Sequence, residues 1–369
     1  MIFFRPSYFR AIKQAVSGLK DQVESNLLEK FVDFLQTPDE RLIYHANPRM
    51  VANHLSADER TTLRLLVLAV YHGILTLHWD VQCPACSGVD QQFIGLGDLR
   101  SQHTCPLCGH IHPTNVDTEV RVAFSIDERV RRLSISADDS DFRSRIDQRY
   151  GIVSGHALLT LQTFRDLFPK EGIPPRESLI IRQVTILFTD LAGSTELYAR
   201  QGDTQAYSLV NQHFQMLFQV VDQQGGAIIK TIGDAIMAAF TNPLNAVKAA
   251  LSMQQQMTTL NQQLTAPEVL TLKVGLDIGA CVCVNLNSQM DYFGMTVNRA
   301  ARVQSLSQGE DIVLTDALWM ETQELLSGYA QIQEEIDLKG IDHPVVIHWI
   351  AVGSPLRNSR SLISHQLSQ

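Results

Sequence analysis

The chain has 369 residues, of which 45% are apolar and 19% charged, a composition typical of packed globular domains that excludes a disordered or fibrous protein. At roughly 100 to 200 residues per domain, this length allows two or three domains. The net charge of −9 is uneven: residues 1–180 carry 20 basic and 22 acidic side chains, whereas residues 181–369 carry 10 and 17. Loose nucleic-acid binding depends on many Lys and Arg contacts with phosphate, so this acidity argues against it.

The sequence also argues against membrane insertion and export. The most apolar stretch, residues 63–79, is interrupted by Arg64, His72 and His78, and it is too broken to span a bilayer. The first ten residues lack the apolar core and cleavage site of a signal peptide. Four of the six cysteines form Cys-x-x-Cys pairs, which favours a reducing compartment and a bound metal over disulfides. We therefore expect a cytoplasmic protein.

The N-terminal pattern predicts three helices and then a strand. Apolar residues recur at helical spacing from Leu19 to Leu35, and a second helix is predicted over 48–55. Ser56 and Glu59 have the spacing of a capping box, which would open a third helix ending near Tyr71. Alternation of period two then predicts a strand over 75–82. Residues 1–82 thus read as a winged-helix-like region, used either for DNA binding or for docking and sensing; the third helix has no basic stripe, which disfavours DNA binding.

Two matched cysteine pairs follow this strand. They are separated by eighteen residues and consist of Cys83, Cys86, Cys105 and Cys108. Two thiolates on each of two tight turns satisfy one tetrahedral Zn²⁺, which also contributes folding energy. A redox dithiol, the alternative, needs only one pair. We predict a zinc ribbon with a structural Zn²⁺ over 83–135, with a strand at 120–126 packed beneath it.

Several neighbouring features have simpler interpretations. Three histidines could substitute as zinc ligands but are more simply solvent-facing loop residues, and three arginines are expected on a solvated face: His103, His110, His112, Arg129, Arg131 and Arg132. Residues 136–180 are rich in charged side chains at first and contain Gly and Pro near their end, which predicts a linker or transducer. Its apolar stretch, residues 158–168, is predicted to dock on a neighbouring element. The polar residues 353–369 are predicted to be a flexible tail.

The C-terminal half contains two acids in positions suited to metal chemistry. The strand Val184–Thr189 ends in Asp190, followed by a turn and a helix beginning near Glu196. Strand-like runs over 227–232 and 235–240 are joined by Gly233-Asp234, a hairpin signal that puts Asp234 at a tight tip. An acid at a strand end and another at a hairpin tip could hold two divalent cations beside phosphates. The simpler alternative is that Asp234 is present only for its turn preference.

Three runs, FTDLAGST, IIKTIGDAIMAAF and DYFGMTVNRAARV, resemble in their order and separation the catalytic domain of class III adenylate/guanylate cyclases. The resemblance covers residues 181–352 and implies an α+β fold, the α/β sandwich of a ferredoxin-like cyclase domain. Residues 39–132 resemble a zinc-containing region that precedes some bacterial cyclase domains. The implied fold is therefore a cyclase domain preceded by a winged-helix-like unit and a zinc ribbon.

This resemblance implies roles for residues that would bind metal and phosphate. Asp190 and Asp234 match the metal-binding aspartates, with the carbonyl of Leu191 as a further ligand, and they would hold two Mg²⁺ or Mn²⁺ ions per site. Lys339, which precedes Gly340, matches a lysine that binds the terminal phosphates.

The resemblance also implies base-reading and transition-state residues. Lys230 and Asp291 match the pair that bonds the adenine edge, and donor plus acceptor is the polarity that adenine requires. Asn298 and Arg302 match the pair that stabilises the transition state, and their i, i+4 spacing places them on one helix face. Each of these residues also has a simpler explanation when taken singly. Lys230 could merely extend its charged end to solvent, Asp291 could shape a turn, and Arg302 could be a surface residue.

The sequence departs from the family pattern at one point. Asp277 stands where many members have histidine, and Ala280 follows where proline or arginine is frequent, which puts a phosphate contact in doubt. Cys281 and Cys283 alternate on one strand and are expected to be buried packing thiols.

The predicted function is that of an adenylate cyclase, which converts ATP to 3′,5′-cyclic AMP and pyrophosphate in intracellular signalling. The family builds each site from two subunits, which implies a head-to-tail homodimer with composite sites, controlled by the N-terminal region. Two alternatives remain: a guanylate cyclase, and a DNA-binding regulator whose cyclase-like domain only senses nucleotide.

Overall fold

The computed structural model describes residues 8–86, 88–263, 269–287 and 289–353. The tail predicted over 353–369 lies outside the described residues from position 354 onward. Backbone contacts divide the chain into two compact units. Unit 1 comprises Met1–Arg182 and Val282–Asp291, and unit 2 comprises Gln183–Cys281 and Tyr292–Gln369. Within the described ranges, no helix has the length and apolar character needed to cross a membrane.

Four helices open unit 1, namely α1 (Tyr8–Val16), α2 (Ser25–Leu35), α3 (Pro48–Leu55) and α4 (Glu59–Tyr71). The helix predicted from Leu19 begins at Ser25, because residues 17–19 form a short 3₁₀ turn. The predicted capping box is wrong: the carboxylate of Asp58 accepts the N–H of Thr61 at 2.9 Å, whereas Ser56 ends α3 in the left-handed conformation. An aspartate directly before the first turn satisfies its free N–H groups better than a serine two residues earlier.

The strands of unit 1 are β1 (Leu75–Gln82), β2 (Val89–Phe93), β3 (Gln102–Thr104), β4 (Ile111–Pro113) and β5 (Val120–Ile126). They form a sheet in the order β2-β1-β5 and a separate β3-β4 hairpin. Central β1 pairs antiparallel with both neighbours, and its Trp79 is fully buried against the ring of Phe164. The strands predicted over 75–82 and 120–126 are therefore present.

Some residues expected at the surface are buried instead. Arg131 is 4% exposed, and its guanidinium donates to the carbonyls of Leu35, the last residue of α2, and of Thr37 just beyond it. The last carbonyls of a helix have no partner within that helix. His103 and His112 are also buried, and the Nδ1 atom of His112 lies 3.1 Å from Oε2 of Glu119. The expectation of a solvated arginine and solvent-facing histidines is wrong at these three positions.

Residues 136–180 fold within unit 1. They form α5 (Ser140–Tyr150), α6 (Gly155–Leu159) and α7 (Gln162–Leu167). Leu158 and Phe164 are fully buried, and α7 packs on α4, as the apolar character of the stretch led us to expect. Arg121 of β5 is ion-paired with Asp147 of α5. This segment is part of a core rather than a free tether.

Unit 2 is built on a long mixed sheet. Its helices are α8 (Ser194–Gln201), α9 (Asp203–Gln223), α10 (Pro243–Gln263), α11 (Met295–Ser305) and α12 (Asp316–Leu326). The strands of the sheet begin with β6 (Leu179–Ala192), β7 (Ala227–Ile232), β8 (Ala235–Phe240) and β9 (Thr271–Leu286), followed by β10 (Gln289–Phe293), β11 (Asp311–Thr315), β12 (Gln331–Ile336) and β13 (Val345–Ala351). Residues 179–182 of β6, 282–286 of β9 and 289–291 of β10 are counted with unit 1. The strand order is β12-β13-β11-β9-β6-β8-β7, with β10 paired to β9.

Helices cover both faces of this sheet. Successive side chains of a strand point to opposite faces. Ile312 and Leu314 join a large core with residues of α9, α10 and α12, whereas Val313 between them joins a smaller core with Val303 of α11 and Trp349. The result is the mixed α+β architecture that was predicted for residues 181–352.

Candidate active site and a four-cysteine cluster

The sheet of unit 2 brings Asp190 and Asp234 to the same end of two adjacent strands. β6 and β8 run antiparallel with Phe188 opposite Met237, so Asp190, two residues further on, is level with the first residue of β8. Asp234 immediately precedes that strand, in the tight β7–β8 turn where Gly233 has a φ of 62°. A residue with a side chain is strained in that conformation, and glycine is not. The hairpin expected from the sequence thus places the second acid beside the first.

The electrostatics of the two acids fit a cation. The pKa of Asp190 lies above its usual range, first because of burial and second because of the negative charge of Asp234; Lys273 partly offsets both. Atom Oδ2 of Asp234 is buried and, among the described residues, has no hydrogen-bond partner. Burying two like charges is costly unless a positive group neutralises them. Carboxylate oxygens are the ligands that Mg²⁺ and Mn²⁺ prefer, so these residues fit a divalent cation.

Leu191, whose carbonyl was predicted as a further ligand, is 3% exposed and its side chain belongs to the large core of unit 2. Packing of this side chain holds the backbone that follows Asp190. The role of the carbonyl remains a prediction.

Lys230 lies on β7 at an irregularity of the ladder. The pairing with β8 shifts between Ile228 and Lys230, and such a bulge re-aims the side chains that follow it. The Nζ atom of Lys230 lies 5.6 Å from the centre of the Phe293 ring, at the end of β10. Asp291, two residues before Phe293 on the same strand, is 6% exposed.

Helix α11 carries Asn298 and Arg302. Its buried side consists of Thr296, Val297, Ala300 and Val303, whereas Asn298 is exposed and Arg302 half-exposed. The turn between β12 and β13 packs beside this arginine, since a Cβ added at Gly340 would lie 3.3 Å from Nη2 of Arg302. Exposed Lys339 precedes that glycine. The structure therefore brings the Lys339 turn to Arg302, and within the described part of the chain Arg302 forms no ion pair with Asp190 or Asp234.

Sequence reasoning missed three residues: Lys273 and His213, which act electrostatically on the acids, and Phe293 beside Lys230. His213 of α9 is fully buried; its Nδ1 lies 3.2 Å from the carbonyl of Val210, and its Nε2 has no partner among the described residues. Burial lowers the pKa of His213 to about 4, although the charge of Asp234 opposes this shift. A histidine in an amphipathic helix or a lysine in an alternating strand gives no local signal of such a neighbourhood.

The four cysteines of unit 1 converge. Their Sγ atoms all lie within 4.8 Å of one another, with Cys83 to Cys108 and Cys86 to Cys105 both at 3.7 Å. Four sulfurs bound to one Zn²⁺ at tetrahedral corners would be about 3.8 Å apart, given a Zn–S distance of about 2.3 Å. Each pair sits on a tight turn that is closed by a backbone hydrogen bond. The N–H of Cys83 donates to the carbonyl of Gly88, and the N–H of Cys105 donates to the carbonyl of His110. The cluster has the dimensions of a zinc site.

In comparisons with known proteins, the two halves of the chain match different families. Residues 178–352 match the family "Adenylate and Guanylate cyclase catalytic domain", and residues 9–147 match a family of unknown function, DUF5939. An adenylate cyclase of Anabaena cylindrica is 29% identical over 183 residues, covering 45% of this chain and 36% of the relative. A receptor-type adenylate cyclase of Trypanosoma equiperdum is 25% identical over 227 residues, covering 50% and 45%.

Among solved structures, the adenylyl cyclase CyaB from P. aeruginosa is 24% identical, with a TM-score of 0.43, covering 50% of this chain and 98% of that one. The chain spans less than half the length of the curated relatives that it matches. The family match agrees with the motifs, the mixed sheet and the paired acids. Residues 178–352 therefore form a class III adenylate/guanylate cyclase catalytic domain.

Proposed function

We propose that this chain is an adenylate cyclase that converts ATP to 3′,5′-cyclic AMP and pyrophosphate with the help of divalent cations. The observation that carries the proposal is the acid pair, in which Asp190 has a raised pKa and Asp234 a buried oxygen without a hydrogen-bond partner among the described residues. A unit with a net negative charge needs bound cations to make the local electrostatic potential positive before it can hold a polyanionic nucleotide. The relatives named adenylate cyclase favour ATP as the nucleotide.

In the proposed reaction, the 3′-hydroxyl oxygen of ATP attacks the α-phosphorus. The bond from that phosphorus to the bridging oxygen of the β-phosphate breaks, pyrophosphate leaves, and the hydroxyl proton passes to solvent. Bound at Asp190 and Asp234, and at the carbonyl of Leu191, Mg²⁺ or Mn²⁺ would lower the pKa of the attacking hydroxyl and neutralise the leaving phosphates.

Other side chains orient the substrate and stabilise the charge that develops. Arg302 and Asn298 donate to oxygens of the pentacoordinate phosphorus and the ribose, a role in which the loss of one donor commonly costs about 10² to 10³ in rate. Lys339 binds the terminal phosphates, and its turn lies next to Arg302. Lys230 donates to N1 of adenine and Asp291 accepts from its amino group.

The test of the reaction is the formation of cyclic AMP from Mn-ATP by the purified chain. Asp190→Asn should abolish it, whereas Glu324→Gln, a change of an exposed acid on α12, should not. Equal activity of wild type and Asp190→Asn would refute the metal assignment. A parallel assay with GTP tests the guanylate alternative, and Lys230→Glu should weaken the use of ATP; unchanged ATP kinetics would show that the base is read elsewhere.

We further propose a head-to-tail homodimer whose sites combine the acids of one subunit with Arg302 of the other. It is supported by the resemblance of residues 181–352 to a family that builds each site from two subunits. Mixing Asp190→Asn protein with Arg302→Ala protein should restore activity, because the mixed dimer has one site in which both residues are intact. Two inactive proteins that stay inactive when mixed, despite forming mixed dimers, would contradict this arrangement.

The cysteine cluster supports a structural Zn²⁺ in an N-terminal regulatory region. Metal analysis should find one zinc per chain, and Cys108→Ser should remove it, whereas Cys281→Ser, a change of a buried thiol outside the cluster, should retain it. A regulatory role predicts that Cys108→Ser also changes the rate of cyclisation. Full zinc content in Cys108→Ser would refute the site, and an unchanged rate in a zinc-free variant would refute the regulation.

A further inference from the structure

The acid that departs from the family pattern, Asp277, is fully buried on β9. Its Oδ2 accepts the Nε–H of Arg299 at 2.7 Å, and its Oδ1 accepts the Nη2–H of Arg299 at 3.1 Å and the hydroxyl of Thr315 at 2.7 Å. The forked guanidinium therefore meets both carboxylate oxygens, the geometry in which an arginine–carboxylate pair is strongest and most directional. Asp277 is committed to a partner on α11 and is not directed toward solvent.

Arg299 belongs to the helix that carries the transition-state residues. It directly follows Asn298 and precedes Arg302 by three positions. Arg299 and Thr296 face β9, where the hydroxyl of Thr296 donates to the carbonyl of Ala280 at 2.7 Å. The helix is thus tied to β9 by one face, while Asn298 and Arg302 project from another.

Three alternating residues of β9 meet α11 in sequence, and only the central one has a side chain. A Cβ added at Gly275 would lie 2.1 Å from the backbone N of Gln304, and one added at Gly279 would lie 2.7 Å from Oγ1 of Thr296. Positions 275, 277 and 279 lie on one face of the strand. The two glycines let the helix approach closely at both ends, and the Asp277–Arg299 pair occupies the space between them.

Such an arrangement restricts rotation of α11 about its axis. The side-chain ends of a helix lie about 5 to 6 Å from the axis, so a rotation of about 10° moves them by roughly 1 Å. Apolar contacts alone permit small rotations because they are not directional. A forked ion pair does not permit such rotations, because turning the helix would separate the buried carboxylate of Asp277 from the guanidinium of Arg299.

We propose that the Asp277–Arg299 pair is a positioning device that sets the rotation of α11 and so places Asn298 and Arg302 for the attack of the 3′-hydroxyl on the α-phosphorus. This inference rests on the proposed cyclase function. The pair itself does not touch the nucleotide. A misplacement of about 1 Å in groups that stabilise a transition state can cost about 10²-fold in rate with little change in substrate binding.

The experiment measures kcat and KM for Mn-ATP in the full chain carrying Asp277→Asn, Arg299→Gln or both changes. Each single variant should lower kcat by about 10- to 100-fold and change KM by less than about threefold. The double variant should be no worse than the poorer single variant, since the residues act as one unit. Arg299→Lys, which keeps the charge but loses the fork, should recover part of the rate.

Amide hydrogen exchange over residues 295–305 gives a second readout that does not depend on turnover. Asp277→Asn should speed exchange in α11 and leave α9 and α10 unchanged, with Glu324→Gln behaving as wild type throughout. A raised KM with unchanged kcat would overturn the inference in favour of a direct phosphate contact. Additive losses in the double variant, or unchanged exchange in α11, would overturn it as well.

The two proposals can fail separately. If the wild-type chain forms no cyclic nucleotide, the proposed function fails, and the exchange measurement alone decides whether the pair holds α11. If the wild-type chain is active while Asp277→Asn retains normal kcat and normal exchange, the positioning role fails and the cyclase function stands.

Discussion

Replacement of buried His213 by leucine should make unit 2 less sensitive to acid. Burial lowers the pKa of this histidine to about 4, from about 6.5 in an unfolded chain. Between these two values the unfolded state binds a proton that the folded state does not, so stability falls as the pH falls. The effect of this one residue is close to zero at pH 7.5, about 2 kcal/mol at pH 5, and about 3.4 kcal/mol below pH 4.

The assay is urea unfolding followed by tryptophan fluorescence at pH 7.5 and pH 5. Two of the three tryptophans, Trp319 and Trp349, lie in unit 2. The loss of unfolding free energy between the two pH values should be smaller by about 2 kcal/mol in His213→Leu than in wild type. Leucine also removes a buried Nε2 that has no partner among the described residues, so the variant should not be less stable at pH 7.5.

A matched control is His343→Leu, which changes an exposed histidine in the same unit. It should show the same pH dependence as wild type. An equal loss of stability in His213→Leu and wild type between the two pH values would refute the reasoning, because it would mean that His213 binds its proton equally well in the folded and unfolded states.

Three further outcomes are expected. Arg121→Met leaves the fully buried Asp80 and the partly buried Asp147 without their shared cation, and should lower the free energy of unfolding by about 3 to 5 kcal/mol in urea titrations. Gly340→Ala, at a φ of 69°, should cost about 1 to 2 kcal/mol and slow cyclisation, whereas Gly328→Ala, with open space around it, should do neither. The pKa of Asp190 is raised in the folded state, so ionisation of this carboxyl destabilises the fold as the pH rises through that pKa. At neutral pH with a chelator present, Asp190→Asn should therefore have a higher melting temperature than wild type. Added Mn²⁺ should stabilise only the wild type.

Much of the local structure could be predicted because its signals are local. Alternating apolar residues indicated β1 and β5, and the Gly233-Asp234 pair indicated the hairpin that the structure contains. Cysteine spacing was sufficient to predict that four thiols would converge, because two Cys-x-x-Cys turns have few other stable uses. The error at the start of α4 was also local: Ser56 ends α3 in the left-handed conformation, and the helix is capped by Asp58, two residues later.

Burial of individual polar residues could not be predicted in this way. Arg131 looked like one of a row of surface arginines, but a helix end distant in the sequence supplied carbonyls for its guanidinium. Asp277 was noticed only as a departure from a family pattern, and its partner Arg299 lies twenty-two residues away on another element. Such pairs form because a buried charge must find a partner, and the sequence does not state which residue the fold will bring to it.

The sequence by itself determined the chemistry available to this protein. It contains two acids and a hairpin in the motifs of a cyclase domain, and four cysteines at the spacing of a zinc site. Its C-terminal half is acidic, so cations are needed there to bind a nucleotide. The tertiary structure decided how that chemistry is held. It set the second acid beside the first across β6 and β8, buried His213 in α9, and tied α11 to β9 through one ion pair. The physical reason is that motifs act through neighbours in the chain, whereas desolvation and ion pairing act through neighbours in space.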